Sequence, residues 1–345
     1  MKKALSLAMA AAMTMGLAAC GSTASGTAAA DSTPAASTAE SEETSAAEST
    51  SDKVYTVGIC QLVQHDALDA ATQGFKDALT EKLGEGNVKF DEQNASGDSA
   101  NCTTIVSGFV STGVDLILAN ATAPLQAAAQ ATADIPVLGT SVTDYATALD
   151  ISDWTGTVGN NISGTSDLAP LDQQAAMIQE MFPNAKTVGL LYCSAEPNSV
   201  YQCDVIEGYL TEMGLETTRY AFTDTNDVTS VTQAAAAASD VIYIPTDNTA
   251  ASNTEAIANV VIPEKVPVVA GEEGICKGCG VAALSISYYD LGYKTGEMAA
   301  EILTDGADVS TMPVAFAPNV TKKYNAANCE ALGITPPDGY EAIAD

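Results

Sequence analysis

Basic residues are scarce in this chain. It has 345 residues, of which 44 are Asp or Glu and 13 are Lys or Arg, giving a formal net charge of −31. A nucleic-acid binder needs clustered Lys and Arg to displace counterions from phosphate, so that class is excluded. Histidine occurs once, as His65, and tryptophan once, as Trp154. A single His does not make a zinc site, which takes about four ligands, and it has no Ser or Cys beside it in an elbow context. Also missing are a P-loop, a GxGxxG turn after the first strand and a GxSxG elbow. Two carboxylates in a cleft could cleave a glycoside, but nothing in the sequence places a suitable pair. The chain therefore reads as a non-enzyme, with no catalytic residue, no metal and no cofactor.

Long apolar runs are missing too. Residues 4–15 are apolar and follow Lys2 and Lys3, but the run is too short to span a bilayer and fits a signal peptide over 1–19. It ends in Leu17-Ala18-Ala19-Cys20-Gly21, which resembles the lipobox of bacterial lipoproteins, where cleavage precedes a Cys that carries lipid. A plain secretory signal with an incidental Cys is the alternative. Residues 21–52 have no aromatic, no Ile, Leu or Val and no basic residue. Such a segment buries too little to offset its ordering entropy, so 20–53 is expected to be a lipidated Cys20 and a disordered tether. That layout places the body at the cell surface, lipid-anchored to the outer face of the cytoplasmic membrane. Without Lys2 and Lys3 the balance is 44 acidic against 11 basic residues, which favours a soluble monomer.

The chain has 8 cysteines. Beyond Cys20 they are Cys60, Cys102, Cys193, Cys203, Cys276, Cys279 and Cys329, and export makes disulfides the first expectation. Cys60 with Cys102, and Cys193 with Cys203, pair the end of one element with the next. Cys276 and Cys279 could close a local disulfide or remain thiols. At least one disulfide is expected among these pairs, with Cys329 left over.

From residue 54 onward, strand and helix patterns alternate. Apolar strand-like runs at 54–59, 88–90, 116–119 and 136–138 are separated by amphipathic stretches at 68–83, 102–110 and 125–132. The theme restarts with helices at 175–182, 200–213, 228–238 and 254–261, and strands at 187–192, 216–221, 241–244 and 266–270. A tail adds strand 281–286, helix 292–303 and strand-like sequence near 314–316. The spacing predicts an α/β fold of two doubly wound parallel-sheet lobes with a ligand cleft between them. Lobe 1 is expected over 54–160 plus 285–317 and lobe 2 over 161–284 plus 318–345, joined by crossings near 159–164, 281–287 and 317–322.

Ligands of open parallel sheets bind beyond the carboxyl ends of the strands. Gln64 and His65 follow the first strand, Asn120 and Thr122 the third, and Ser141 and Thr143 the fourth. In the second set, Glu196 and Asn198 follow one strand, Thr246, Asp247 and Asn248 another, and Glu272 and Glu273 a third. Neutral hydrogen-bonders thus face carboxylates. This suits a zwitterion whose ammonium group pairs with Asp247 and whose carboxylate meets Thr122 and Ser141. Blander readings stand beside these. Thr246-Asp247-Asn248 could be a turn or a helix cap, Asn198 or Ser199 could cap the next helix, and Gln64 and His65 could simply open the first helix. Glu272 and Glu273 are expected to be solvated, and Trp154 and Tyr145 to stack on a ligand or pack in the core.

Several runs in one order carry a resemblance: QxxxHxxLDAxxxGFxxxL from Gln61 to Leu79, ANATAPLQAA around Asn120, DIPVLGTSVTD from Asp134, LLYCSAEPNS from Leu190, VIYIPTDN from Val241 and LGYKTG from Leu291. Together with the lipobox they resemble a family of ABC-transporter substrate-binding lipoproteins of the tryptophan or aromatic amino-acid-binding type. The resemblance covers roughly residues 54–334 and implies a type I periplasmic-binding fold, a small-molecule ligand and an ABC-transporter permease as partner. It departs at Asp144-Tyr145, where the family often has Asp-Pro, and in the crossover motif Asn160 to Asp167. An amino acid with an apolar or aromatic side chain is the expected ligand. A nucleoside or a sugar, and a sensory receptor role, are the alternatives.

Overall fold

The computed structural model describes residues 53–317 and 319–344. The expected signal peptide, Cys20 and all but the last residue of the tether lie outside the described residues. None of the described helices is long and apolar enough to cross a membrane.

The chain first alternates β1 (Tyr55–Gln61), α1 (Asp66–Leu83), β2 (Val88–Asn94), α2 (Ser99–Thr112), β3 (Leu116–Asn120), α3 (Thr122–Ala131), β4 (Val137–Val142), α4 (Tyr145–Leu149) and β5 (Ile162–Ser166). It continues with α5 (Leu171–Met181), β6 (Thr187–Cys193), α6 (Pro197–Glu212), β7 (Glu216–Phe222), α7 (Val228–Ala238) and β8 (Val241–Ile244). Next come α8 (Asn248–Ala251), α9 (Thr254–Glu264), β9 (Val268–Ala270), α10 (Glu273–Gly278) and β10 (Ala282–Ser285). The tail is α11 (Tyr288–Asp305), β11 (Ala315–Phe316), β12 (Thr321–Tyr324), α12 (Ala326–Leu332) and β13 (Glu341–Ala342).

Two sheets result. The first is 6-stranded in the order β11-β5-β4-β3-β1-β2 and the second 7-stranded in the order β13-β12-β10-β9-β8-β6-β7. The neighbours are parallel except β12, which runs antiparallel to β10. Alternate residues of each strand serve opposite faces. In β3, Ile117 and Ala119 pack with α2 and α3, while Leu116 and Leu118 pack with Phe75 and Leu79 of α1 and Met298 of α11. Both faces are covered, as a parallel sheet requires.

The chain leaves the first sheet after β5, returns to it after β10 and leaves again after β11. The boundary expected at 160/161 is corrected by β5 itself. Ile162–Ser166 hydrogen-bonds to β4, so the first sheet runs on to Ser166. The strand lacks an apolar run because its buried hydroxyls are satisfied internally. Thr165 bonds Thr140 at 3.2 Å and Thr295 at 2.8 Å, and Ser166 donates to the Thr143 carbonyl at 2.7 Å.

The disulfide expectation is also corrected: all the described cysteines are buried free thiols. Cys193 faces the α7 and α9 side of the second sheet and Cys203 the α5 and α6 side, so the sheet separates them. Cys60 and Cys102 do meet in one buried cluster, but as free thiols. Trp154 stacks on Tyr145 at 6.5 Å, and the buried Tyr145 hydroxyl donates to the Thr165 carbonyl at 3.1 Å. That aromatic pair is core.

Candidate functional site

In each sheet the strand order reverses next to the first strand of its set, between β1 and β3 and between β6 and β8. Doubly wound sheets bind ligands at such points. The carboxyl ends of the strands on the two sides converge on one enclosed cavity. Its lining includes His65, Ser141, Thr143 and Asp167 from the first lobe, Asn198, Thr246, Asp247, Asn248 and Glu272 from the second, and Tyr288. The cavity holds about 10 Å³, close to the room one water needs. A larger cavity of about 510 Å³ lies against the crossing segments and shares Glu272 and Tyr288 with it. Gln64 lies at a third opening that also includes His65.

The first-lobe wall is built by a distortion. Pairing of β4 with β5 shifts register between Gly139 and Val142, and Ser141 sits at φ 54 in the left-handed region. Bulges of this kind re-aim a side chain at functional sites. Here the buried Ser141 hydroxyl has no hydrogen-bond partner among the described residues. The same holds for Asp167 Oδ1, while Asp167 Oδ2 accepts from the Tyr288 hydroxyl at 2.9 Å. Burial pushes the Asp167 carboxyl above the usual range, opposed by Tyr288 and Thr143. An unpartnered buried carboxylate oxygen and an unpartnered buried hydroxyl lining one cavity are a costly arrangement that polar groups of a ligand would satisfy.

The second-lobe wall is different, because its carboxylates are already occupied. Asp247 Oδ2 accepts from the Cys193 N–H at 2.6 Å and Oδ1 from the Ala250 N–H at 2.8 Å, the latter capping α8. Burial and the charge of Glu196 push Asp247 up to about 8. Glu196 Oε2 accepts from the Asn248 N–H at 3.0 Å, its side-chain amide at 2.7 Å and Asn198 at 3.2 Å. Glu196 Oε1 accepts from the Thr249 N–H at 2.8 Å and hydroxyl at 2.7 Å. Asn198 and Gln202 both donate to the Thr246 carbonyl, which fixes the loop after β8.

Glu272, expected to be solvated, is only 3% exposed because it caps α10 through the N–H groups of Gly274 and Ile275. Burial pushes it up to about 7.

Of the residues singled out in the sequence, His65, Ser141, Thr143, Asn198, Thr246, Asp247 and Asn248 come together around the cavity. Glu196 lies behind them as the bracket of the α8 turn. Asn120 and Thr122 are not brought to the cavity. Asn120 is buried under α1, where its amide donates to the Leu68 carbonyl at 2.8 Å and Thr72 Oγ1 at 2.9 Å, and Thr122 begins α3 as a buried residue. Sequence reasoning missed Asp167 and Tyr288. Asp167 closes the crossover motif that begins at Asn160, and that was its one signal.

The sequence model of the family described as ABC transporter substrate binding protein matches residues 56–345. A tyrosine-binding protein of Clostridioides difficile (strain R20291) is 37% identical over 266 residues, 76% of each chain. Among solved structures, an ABC domain in complex with L-Trp from Streptococcus pneumonia superposes with TM-score 0.80 at 32% identity, covering 84% of this chain and 100% of that one. The ligand-free, open structure of a substrate binding protein with adhesive properties from Clostridium difficile gives TM-score 0.64 at 38% identity, covering 84% of this chain and 99% of that one. The chain superposes better on the first of these structures than on the second, although the second is nearer in sequence. These matches establish the family: the chain belongs to the ABC transporter substrate-binding proteins, with the type I periplasmic-binding fold.

Proposed function

We propose that this substrate-binding protein captures an aromatic amino acid, L-tyrosine or L-tryptophan, and that Asp167 holds the ligand's ammonium group. The observation that carries the reading is the pair of unpartnered buried atoms, Asp167 Oδ1 and Ser141 Oγ, lining one cavity. An ammonium group donates to the first. Ser141 and Thr143 can donate to the carboxylate. Asp247, whose oxygens already accept backbone N–H groups, holds the α8 turn in shape. The relatives with tyrosine and L-Trp in their descriptions support the side-chain class.

No Lys or Arg lines the central cavity, whereas Asp167, Asp247 and Glu272 do. A second carboxylate on the ligand would be desolvated among like charges. Aspartate and glutamate are therefore expected to give no thermal shift and no competition. Tyrosine or tryptophan at about 100 times its Kd should stabilise the native state by about 2.7 kcal/mol. A screen in which no amino acid raises the melting temperature, but a sugar or nucleoside does, would end this reading.

Cys20 is proposed as the lipidated N-terminus that keeps the body beside its transporter. One acyl chain holds only weakly, so anchoring needs the additional chains of a lipoprotein. Cys20→Ala is expected to release the protein into the medium, and unchanged membrane retention would refute the anchor.

A further inference from the structure

Direct polar attraction between the lobes is sparse. Among the described residues every ion pair lies within one lobe. The cleft instead sets Asp66 and Asp167 of the first lobe near Asp247 and Glu272 of the second, all acidic. Across this gap, among the described residues, one neutral hydrogen bond reaches from lobe to lobe: His65 Nε2 lies 3.2 Å from Asn248 Oδ1.

Both ends of that bond are held in place. His65 is the extended residue that precedes α1, and its backbone carbonyl accepts from the Asp69 N–H at 3.0 Å. Asn248 is the first residue of α8, and its amide nitrogen and its N–H both donate to Glu196 Oε2, at 2.7 and 3.0 Å. The amide therefore presents its oxygen to the cleft, and His65 must carry its proton on Nε2 to complete the bond. Burial pushes the His65 pKa down, which keeps the ring neutral.

We propose that the His65–Asn248 hydrogen bond is a latch between the lobes, oriented by Glu196, that governs how long the ligand is held and not which ligand is chosen. The central cavity has room for about one water in this position of the lobes, so a ligand of amino-acid size is admitted or released only as the lobes part, and the bond must break for that to happen. This rests on the amino-acid reading of the cleft, and the test below separates the two.

The experiment is stopped-flow binding of L-tyrosine and L-tryptophan to the full body carrying His65→Ala, His65→Gln, Asn248→Ala or the Ala pair, with small-angle scattering of each free protein. Loss of one neutral bond should speed dissociation about three- to tenfold, with association nearly unchanged. The conservative H65Q variant, which keeps a side-chain N–H donor, should recover most of the residence time. The double variant should lose no more than the worse single one, and the preference between the two ligands should stay as in wild type. Free H65A protein should scatter as a more open particle than wild type.

Dissociation within about 1.5-fold of wild type in H65A, fully additive losses, or a reversed ligand preference would overturn the latch; the last would make His65 a ligand contact. If wild type binds neither amino acid, the amino-acid reading fails. The scattering comparison then still decides the latch, and an unchanged H65A profile overturns it.

Discussion

Asp167→Asn is expected to lower the affinity for the proposed aromatic amino acid by several hundred-fold while raising the melting temperature of the ligand-free protein. The two effects have opposite signs for one reason. Asp167 is buried, and burial outweighs the Tyr288 hydrogen bond in pushing its carboxyl up. A carboxyl with a raised native pKa contributes stability that is present below its unfolded pKa and lost as pH rises through the native one. At neutral pH the ionised form is thus a liability until a cation arrives, and the amide removes it. The same amide leaves the ligand's ammonium group buried without its counter-charge, which costs about 3–5 kcal/mol. Tyr288 can still donate to the amide oxygen, so the wall keeps its shape. Asp247→Asn behaves differently. Its oxygens accept from Cys193 and Ala250, so the new NH₂ confronts a backbone donor, and stability falls while affinity drops less than about tenfold. Calorimetric titration of both variants, with melting curves, separates the roles. A larger affinity loss at Asp247 than at Asp167 would reverse the assignment.

The largest effect on stability is expected at Gly292. Helices α1 and α11 run side by side in the same direction, with their N-termini at the cleft, and they touch through glycines. A Cβ at Gly292 would overlap the Ala71 carbonyl, one at Gly74 the Tyr289 carbonyl, and one at Gly296 would lie 2.5 Å from the Phe75 carbonyl oxygen. These are backbone atoms of packed helices and cannot swing aside. Gly292→Val should cost about 3 kcal/mol, the upper end of overpacking, and lower Tm by roughly 6–12 °C in a body of this size. Ligand binding should weaken as well, because Tyr288 at the start of α11 and His65 at the start of α1 are carried on this pair. Gly208→Ala is the control: it sits exposed in α6 with nothing within 4 Å of a new Cβ, so it should be neutral or stabilising. Equal melting temperatures for the Gly292 and Gly208 variants would show that the helix contact is looser than described.

Much of this was legible in the sequence, and the failures share a cause. Apolar periodicity found the strands and helices that make the two sheets, and the motif around Gly74 and the LGYKTG run are the two sides of the α1–α11 contact. The strand β5 escaped because Ile162-Ser163-Gly164-Thr165-Ser166 buries hydroxyls instead of hydrocarbon. Its partners, Thr140, Thr295 and the Met312 carbonyl, are distant in sequence. Losing β5 also hid Asp167, since a residue just past a strand end is a ligand candidate only once the strand is known. Position after a strand drew attention to Asp247 and, as a solvated residue, to Glu272. It could not tell a carboxylate that caps the next helix from one left open, because that depends on which N–H groups arrive from elsewhere. The cysteine spacing misled for a related reason: Cys193 and Cys203 are ten positions apart, and the intervening chain carries them to opposite faces of one sheet.

An amino acid held between the lobes should rest its ammonium group on Asp167. The most direct test is a crystal structure of the body grown with L-tyrosine. The ligand nitrogen is expected about 2.8 Å from Asp167 Oδ1, with Ser141 Oγ hydrogen-bonded to the ligand. A nitrogen placed on Asp247 or Glu196, with Asp167 Oδ1 and Ser141 Oγ still unpartnered, would contradict it.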